Sequence, residues 1–167
     1  MIKSVVGDAL SVNANILAHQ TNCAGVMGAG IAKQIKEKLL SEQNFKAYKE
    51  ACNRFGSGLL GNVQFLRVGG ERFVANVFGE DRPTGKGLDT NYDALRKGLE
   101  HVHDVAQSNR QTAVIPGLMG CGLAGGDWGY VLHDIIEPIF GDSEVELTIA
   151  YYSEQDYEKW CCSPGRS

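Results

Sequence analysis

The chain has 167 residues, of which 16 are basic and 20 acidic, for a formal charge of −4, and 43% are hydrophobic. That length suits one domain around one core, and the acidic balance excludes broad, salt-sensitive adhesion to nucleic acid, which needs a basic face. No apolar run approaches the roughly 20 residues that cross a bilayer, and MIKSVVGDAL lacks a leader pattern, so no membrane association and a cytoplasmic location (cytosol or nucleus in a eukaryote) are expected.

Predicted strands and helices alternate along the chain. Ile2 to Val6 is a short apolar strand closed by Gly7-Asp8, and Ile16 to Gln20 is a second strand. Thr21 to Gly30 is a glycine-rich loop. Ile31, Ile35 and Leu39 recur at i, i+4 and i+8, which predicts a helix over Ile31 to Leu40. A second helix is expected over Phe45 to Arg54. Val63 to Val68 and Phe73 to Phe78 read as strands parted by the Gly69-Gly70 turn. After a polar loop, Glu80 to Leu88, a helix over Asn91 to Ser108 places Leu95, Leu99, Val102 and Val105 on one face. Ala113 to Pro116 is a strand, and Gly117 to Gly126 is a second glycine-rich loop. Trp128 to Phe140 reads as a helix with Asp127 as N-cap. Val145 to Tyr152 is a strand, Glu154 to Trp160 a short helix, and 161–167 a loose tail. This alternation predicts an α/β fold with a largely parallel sheet covered on both faces.

Five cysteines are present, Cys23, Cys52, Cys121, Cys161 and Cys162, with no C-x-x-C spacing. Free thiols in a reducing compartment fit better than a disulfide framework, and neither zinc nor another metal is expected.

Both glycine-rich loops follow a strand and precede a helix, where open parallel sheets place ligands. A helix start offers free N–H groups and the positive end of a dipole, which is a recipe for an anion site without lysine. A tight turn that only packs helix on strand would use the same residues. Loop two carries five glycines in ten positions, Gly117 to Gly126, a costly composition unless the backbone must stay bare. Two such loops suit a ligand with two adjacent phosphates. The G-x-x-G-x-G order of loop one departs from the dinucleotide fingerprint, and Gly79 to Gly87 has the wrong spacing for a P-loop.

Gly7-Asp8, HQTNCAGVMGAGIAKQI at 19–35, IPGLMGCGLAGGDW at 115–128 and the closing YYSEQDYEKW occur in an order that resembles the macrodomain family of ADP-ribose-binding modules. The resemblance implies a three-layer α/β/α macrodomain fold with a mixed, largely parallel central sheet, no cofactor, and ADP-ribose or ADP-ribose 1″-phosphate as ligand. It implies that Asp8, with Ala9 beside it, reads the adenine amino group; a turn aspartate is the alternative. Tyr152 would cover the adenine face or simply pack in the core. Asn22 would bind the distal ribose or cap its loop. Val26, Met27, Gly28, Ala29, Gly30 and Ile31 would wrap the diphosphate with main-chain N–H groups, facing Gly120, Cys121, Gly122, Leu123, Ala124 and Gly125. Asn91 and Tyr92 would approach the distal end.

Within the family the chain looks most like the small subgroup that removes phosphate from ADP-ribose 1″-phosphate. FGSGLLGNVQFL at 55–66 and His19 add to that likeness. His19 has the chemistry of a general acid/base near neutral pH, or it only orients Asn22. The subgroup's second catalytic aspartate is replaced here by Gly120, and Asp127 is better suited to capping a helix. A second subgroup cleaves ADP-ribose from proteins or DNA with a lysine after the fourth strand, sometimes with an aspartate in loop two. Those positions correspond to Glu80 and Ala124, and Lys86 could substitute only if its loop folds inward. A non-catalytic reader of ADP-ribosylated macromolecules is the remaining alternative.

Overall fold

In the computed structural model, which describes residues 1–161, six strands form one sheet. They are β1 (Ile2–Val6), β2 (Ile16–Asn22), β3 (Val63–Gly69), β4 (Arg72–Glu80), β5 (Ala113–Pro116) and β6 (Leu147–Tyr151). Their order is β1-β6-β5-β2-β4-β3, with every neighbouring pair parallel except the β3–β4 hairpin. Cys162 and the remainder of the expected tail lie outside the described residues.

The central strands show why two covering layers form. On β2, Ile16 and Ala18 enter one core cluster while Leu17 enters the other, and on β5, Ala113 and Ile115 oppose Val114 in the same way. Successive side chains leave opposite faces of a strand, so strands apolar on both faces must be covered twice. Helix α3 (Tyr92–Asn109) covers one face through Leu95, Leu99, Val102 and Ala106. The helical segment 128–140 joins it there, with Trp128, Val131, Ile135 and Phe140. Helix α1 (Gly30–Lys38) covers the other face through Ile31 and Ile35, and α2 (Glu42–Phe55) packs Tyr48 and Cys52 beneath Phe78.

The elements follow the periodicity, with differences that have local causes. Helix α2 starts at Glu42, three residues ahead of the expected Phe45. Ser41 caps it, accepting from the Asn44 N–H while the Asn44 side chain accepts from the Ser41 N–H, a capping box with Asn at its fourth position. The segment 128–140 is one run with a wide middle: α4 (Trp128–Tyr130), a π-helical stretch (Val131–Ile136) and α5 (Glu137–Phe140). Pro138 has no N–H to donate to the preceding turn, and the register shifts to i→i+5 bonds such as Glu137 N–H to Leu132 C=O. Two short 3₁₀ turns, Ala9–Ser11 and Gly56–Leu59, went unseen in the periodicity because three or four residues carry none. The last strand is shorter than expected and leaves Tyr152 just outside it, before α6 (Glu154–Cys161). Among the described residues no helix is long and apolar enough to cross a membrane.

Leu99 is fully buried where α3 meets the sheet. Its replacement by alanine should lower stability by about 3 kcal/mol through lost transfer energy and a cavity. Urea unfolding should show the midpoint falling with the slope unchanged; a loss under about 1 kcal/mol would mean that this face of the core is not packed as described.

Candidate functional site

The chain leaves the sheet in opposite directions from two neighbouring strands. After β2 it runs through loop one into α1 on one face; after β5 it runs through loop two into 128–140 on the other. The β2–β5 ladder joins only Ile16 to Ala113 and Leu17 to Val114. Beyond those pairs the strands part, and a crevice opens at their carboxyl ends, which is the topological switch point of an open α/β sheet. The crevice is a cleft of about 660 Å³. Gly7, Asp8, Ala9, Ala150 and Tyr152 form its β1–β6 end, and Gln20, Asn22, Glu80 and Pro83 its β4 end.

Loop one forms one long wall. Val26, Met27, Gly28, Ala29, Gly30 and Ile31 all line the cleft, as the sequence predicts. The first bond of α1 runs from Lys33 N–H to Ala29 C=O, so Gly30, Ile31 and Ala32 have N–H groups with no intrahelical acceptor. These donors and the dipole of a nine-residue helix favour negative charge at this wall. Asn22 holds the loop in shape: its Oδ1 accepts from Ala24 and Val26 N–H at 3.1 and 3.3 Å, and its Nδ2 donates to Val26 C=O at 2.8 Å. The Tyr48 hydroxyl donates toward the Asn22 carbonyl and Oδ1 from below. Asn22 therefore lines the cleft and caps its loop at once, with most of its polar capacity used in the loop.

Loop two forms the facing wall through Gly120, Gly122, Leu123 and Ala124. Two of its expected members do not line the cleft, Cys121 and Gly125. The Cys121 thiol turns back to Met119 C=O, and burial, aided by the Asp127 charge, pushes it up to about 12. Gly125 sits against the loop before α3: with φ +73°, a Cβ there would lie 2.1 Å from Gly87 C=O. That close approach lets Ala124 C=O accept from the N–H groups of Asp89 and Thr90. The loss of an aspartate at position 120 also has a physical reason. Gly120 has φ +75°, and a Cβ would meet Gln20 Oε1 at 3.0 Å and Thr90 Oγ1 at 3.1 Å, so a larger residue is both strained and crowded.

At the β1–β6 end, Asp8 Oδ1 accepts from Leu10 N–H at 3.0 Å, so it caps a 3₁₀ turn and still lines the cleft beside Ala9. Tyr152 lines the cleft and is 81% exposed, which removes core packing as its role. Asn91 and Tyr92 are not in the cleft: Asn91 caps α3, and the Tyr92 hydroxyl accepts from Asp127 N–H. Asp127 caps the helix after loop two, as expected, through Gly129 and Tyr130 N–H. Lys86 is exposed and outside the lining; its loop is tied down by Asp89, which accepts from Thr84 and Gly85 N–H.

The expected catalytic role of His19 requires correction. The structure does not bring it to the cleft: its side chain is 0% exposed, on the sheet face under α1 and α2. Its Nε2 lies 2.7 Å from Asn76 Oδ1, and Asn76 Nδ2 in turn donates to Gln64. Burial lowers its pKa to about 4 against the raising effect of the Asn76 hydrogen bond, so near neutrality it is an uncharged member of an interior polar network. Position along the strand decides this: Gln20, Thr21 and Asn22 at its carboxyl end line the cleft, and His19, one residue short of them, does not.

Sequence reasoning assigned no role to three side chains that the cleft contains. Gln20 donates from Nε2 to Thr90 Oγ1 at 2.9 Å and leaves a buried Oε1 without an acceptor's partner. The Thr21 hydroxyl is buried, lines the cleft and has no partner. Glu80, at the last position of β4 and paired with Asn22 of β2, is 9% exposed. Its carboxyl is raised above the ordinary carboxylate range by burial first and then by the Asp89 charge, against a hydrogen bond from Gln20. The available signal was a run of polar residues at the carboxyl ends of otherwise apolar strands.

The His19 environment has a pH consequence. The folded pKa lies below the unfolded value, so the unfolded chain binds more protons between the two, and stability falls as pH drops from 6.5 toward 4. Between pH 7 and pH 4.5 this group should remove about 2 kcal/mol of stability. Urea unfolding of wild type and His19→Gln at both pH values should show a smaller pH dependence in the variant. Equal dependence in the two proteins would place His19 in a more solvated setting.

No family model matches the chain. It is 31% identical over 134 residues to the DNA ADP-ribosyl glycohydrolase of Mycobacterium tuberculosis, an alignment covering 77% of this chain and 36% of that protein. The chain thus spans about a third of the length of this curated relative. Among solved structures, the macrodomain of Thermus aquaticus DarG superposes with a TM-score of 0.75 at 25% identity, covering 90% of this chain and 97% of that one. A macrodomain protein from Streptomyces coelicolor gives 0.74 at 27% identity, covering 90% and 98%. With the switch-point cleft, the two glycine-rich walls and these neighbours together, the chain is a member of the macrodomain family.

Proposed function

We propose that the cleft binds ADP-ribose and that the protein is a hydrolase releasing it from ADP-ribosylated nucleic acid. One observation carries the binding reading: the unpaired N–H groups at the start of α1 face a second glycine-rich wall across a single cleft. Such a pair of walls suits a diphosphate gripped from two sides. Asp8 keeps a second carboxylate oxygen for the adenine amino group, and exposed Tyr152 offers a ring for the adenine face. The β4 end, with Gln20, Asn22 and Glu80, then receives the distal ribose and the linkage to be cut.

The likeness to a DNA ADP-ribosyl glycohydrolase supports the choice of linkage. The charge of −4 supports a particular mode of recognition. A protein of net negative charge gains little from counterion release along a polymer, so on this reading it selects the ADP-ribose group itself and touches the polymer lightly. The narrower expectation, phosphate release from ADP-ribose 1″-phosphate, loses its acid/base residue because His19 lies outside the cleft.

The test is a panel of ADP-ribosylated single-stranded DNA, ADP-ribosylated protein and ADP-ribose 1″-phosphate, with calorimetry against free ADP-ribose. Turnover of the modified DNA supports the proposal. Phosphate release alone favours the phosphatase, and binding without turnover of any substrate leaves a reader. Asp8→Ala should weaken ADP-ribose binding about tenfold, roughly 1.4 kcal/mol, the scale of one lost hydrogen bond. Unchanged affinity would move the adenine elsewhere. Wild-type affinity for the modified DNA should change less than about tenfold between 50 and 200 mM salt, where a backbone-reading protein loses about 10³ or more.

A further inference from the structure

Glu80 is a buried carboxylate in a cleft without a counter-ion. Among the described residues no basic side chain forms an ion pair with it. It lines the cleft, it stands at the carboxyl end of β4 opposite Asn22, and its neighbours hold it in place. Gln20 stands beside it and favours its ionised form, and the Gln20 amide donates to Thr90 Oγ1, which donates onward to Gly120 C=O at 2.6 Å. The main chain is anchored as well: Glu80 C=O accepts from Cys23 N–H at 3.0 Å, and Glu80 bridges to Thr90. An unpaired buried carboxylate costs stability. A structural role would be served by glutamine at no such cost. A largely buried carboxylate without an ion-pair partner, carried at the end of a central strand and open to the cleft, is the arrangement of a general base.

Resting on the hydrolase reading above, we propose that Glu80 is the catalytic base at the distal ribose. Its carboxylate takes a proton from a water molecule as the water oxygen bonds to C1″. The bond from C1″ to the acceptor atom breaks, and the acceptor leaves with the electron pair. The proton held on Glu80 then passes to the acceptor and regenerates the carboxylate. The products are ADP-ribose and the free acceptor, with one water consumed. Gln20 is a positioning residue in this scheme, because it favours the ionised carboxylate and ties the β4 end of the cleft to loop two through Thr90. The groups that set the titration of Glu80 are Asp89 across the bridge and the Gln20 amide, with Asp81 next in the chain and the Cys23 thiol on loop one. The Cys23 thiol is pushed up to about 12 by burial and by the nearby acidic residues, so it is neutral in the working range.

The experiment compares wild type, Glu80→Gln and Glu80→Asp on the ADP-ribosylated oligonucleotide, with calorimetry on free ADP-ribose. Glu80→Gln should bind ADP-ribose within threefold of wild type while kcat falls at least about 100-fold, the usual worth of a positioned acid/base group. Glu80→Asp should retain an intermediate kcat. Wild-type kcat should fall on the acid side at a pH above the ordinary carboxylate range, and the residual rate of Glu80→Gln should lose that limb. A Glu80→Gln kcat within threefold of wild type would overturn the assignment. Should Glu80→Gln lose ADP-ribose binding, the aspartate variant decides: retained binding with lowered kcat supports the assignment, and full kcat overturns it. Absence of turnover in wild type removes the hydrolase reading itself, and this one with it.

Discussion

The structure turns on one constraint, the parting of β2 and β5. Two parallel neighbours in the middle of the sheet share only two paired residues before their chains leave to opposite faces. The gap cannot be filled by either connection, because each must reach its own helix. The loops that flank it are glycine-rich, and the start of α1, with its free N–H groups, stands at the gap. Under the binding proposal a diphosphate needs nothing more basic than such donors, and a net charge of −4 is no obstacle to it.

The loops are held in shape by groups beside and beneath them, some of which also line the cleft. Asn22 and Tyr48 set the shape of loop one from inside and below. The loop before α3 props loop two, through Asp89 and Thr90 N–H on Ala124 C=O and through the contact at Gly125. Thr90 then reaches both Gly120 and Gln20. The walls and the floor of the β4 end thus form one hydrogen-bonded unit. Preorganisation of this kind reduces the ordering cost of binding a flexible nucleotide sugar.

Much of this was legible in the sequence, and the remainder was hidden for definable reasons. Alternating apolar periods gave the layers, and strand–glycine–helix junctions gave the two walls, with Val26 to Ile31 lining the cleft. Tyr152, Asp8 and Ala9 also line it. His19 does not, because it lies short of the strand's carboxyl end, where Gln20, Thr21 and Asn22 line the cleft, and no pattern in ILAHQ shows where along the strand the cleft begins. Cys121 and Gly125 do not either: in a loop with several positive-φ residues, Leu118 (φ 64°), Gly120 and Gly125, single residues turn away between neighbours that line the cleft. Glu80 was read only as the place where a lysine is missing. Its burial and its lack of an ion pair among the described residues are properties of the fold and not of the local sequence.

Backbone amide NMR during titration with ADP-ribose tests the central claim most directly, because the claim concerns main-chain donors. The account predicts that the largest shifts fall on Gly28 to Ala32 and Gly120 to Ala124, with smaller ones near Asp8 and Tyr152 and none at His19. Shifts confined to other parts of the surface, or no response at millimolar ligand, would contradict it.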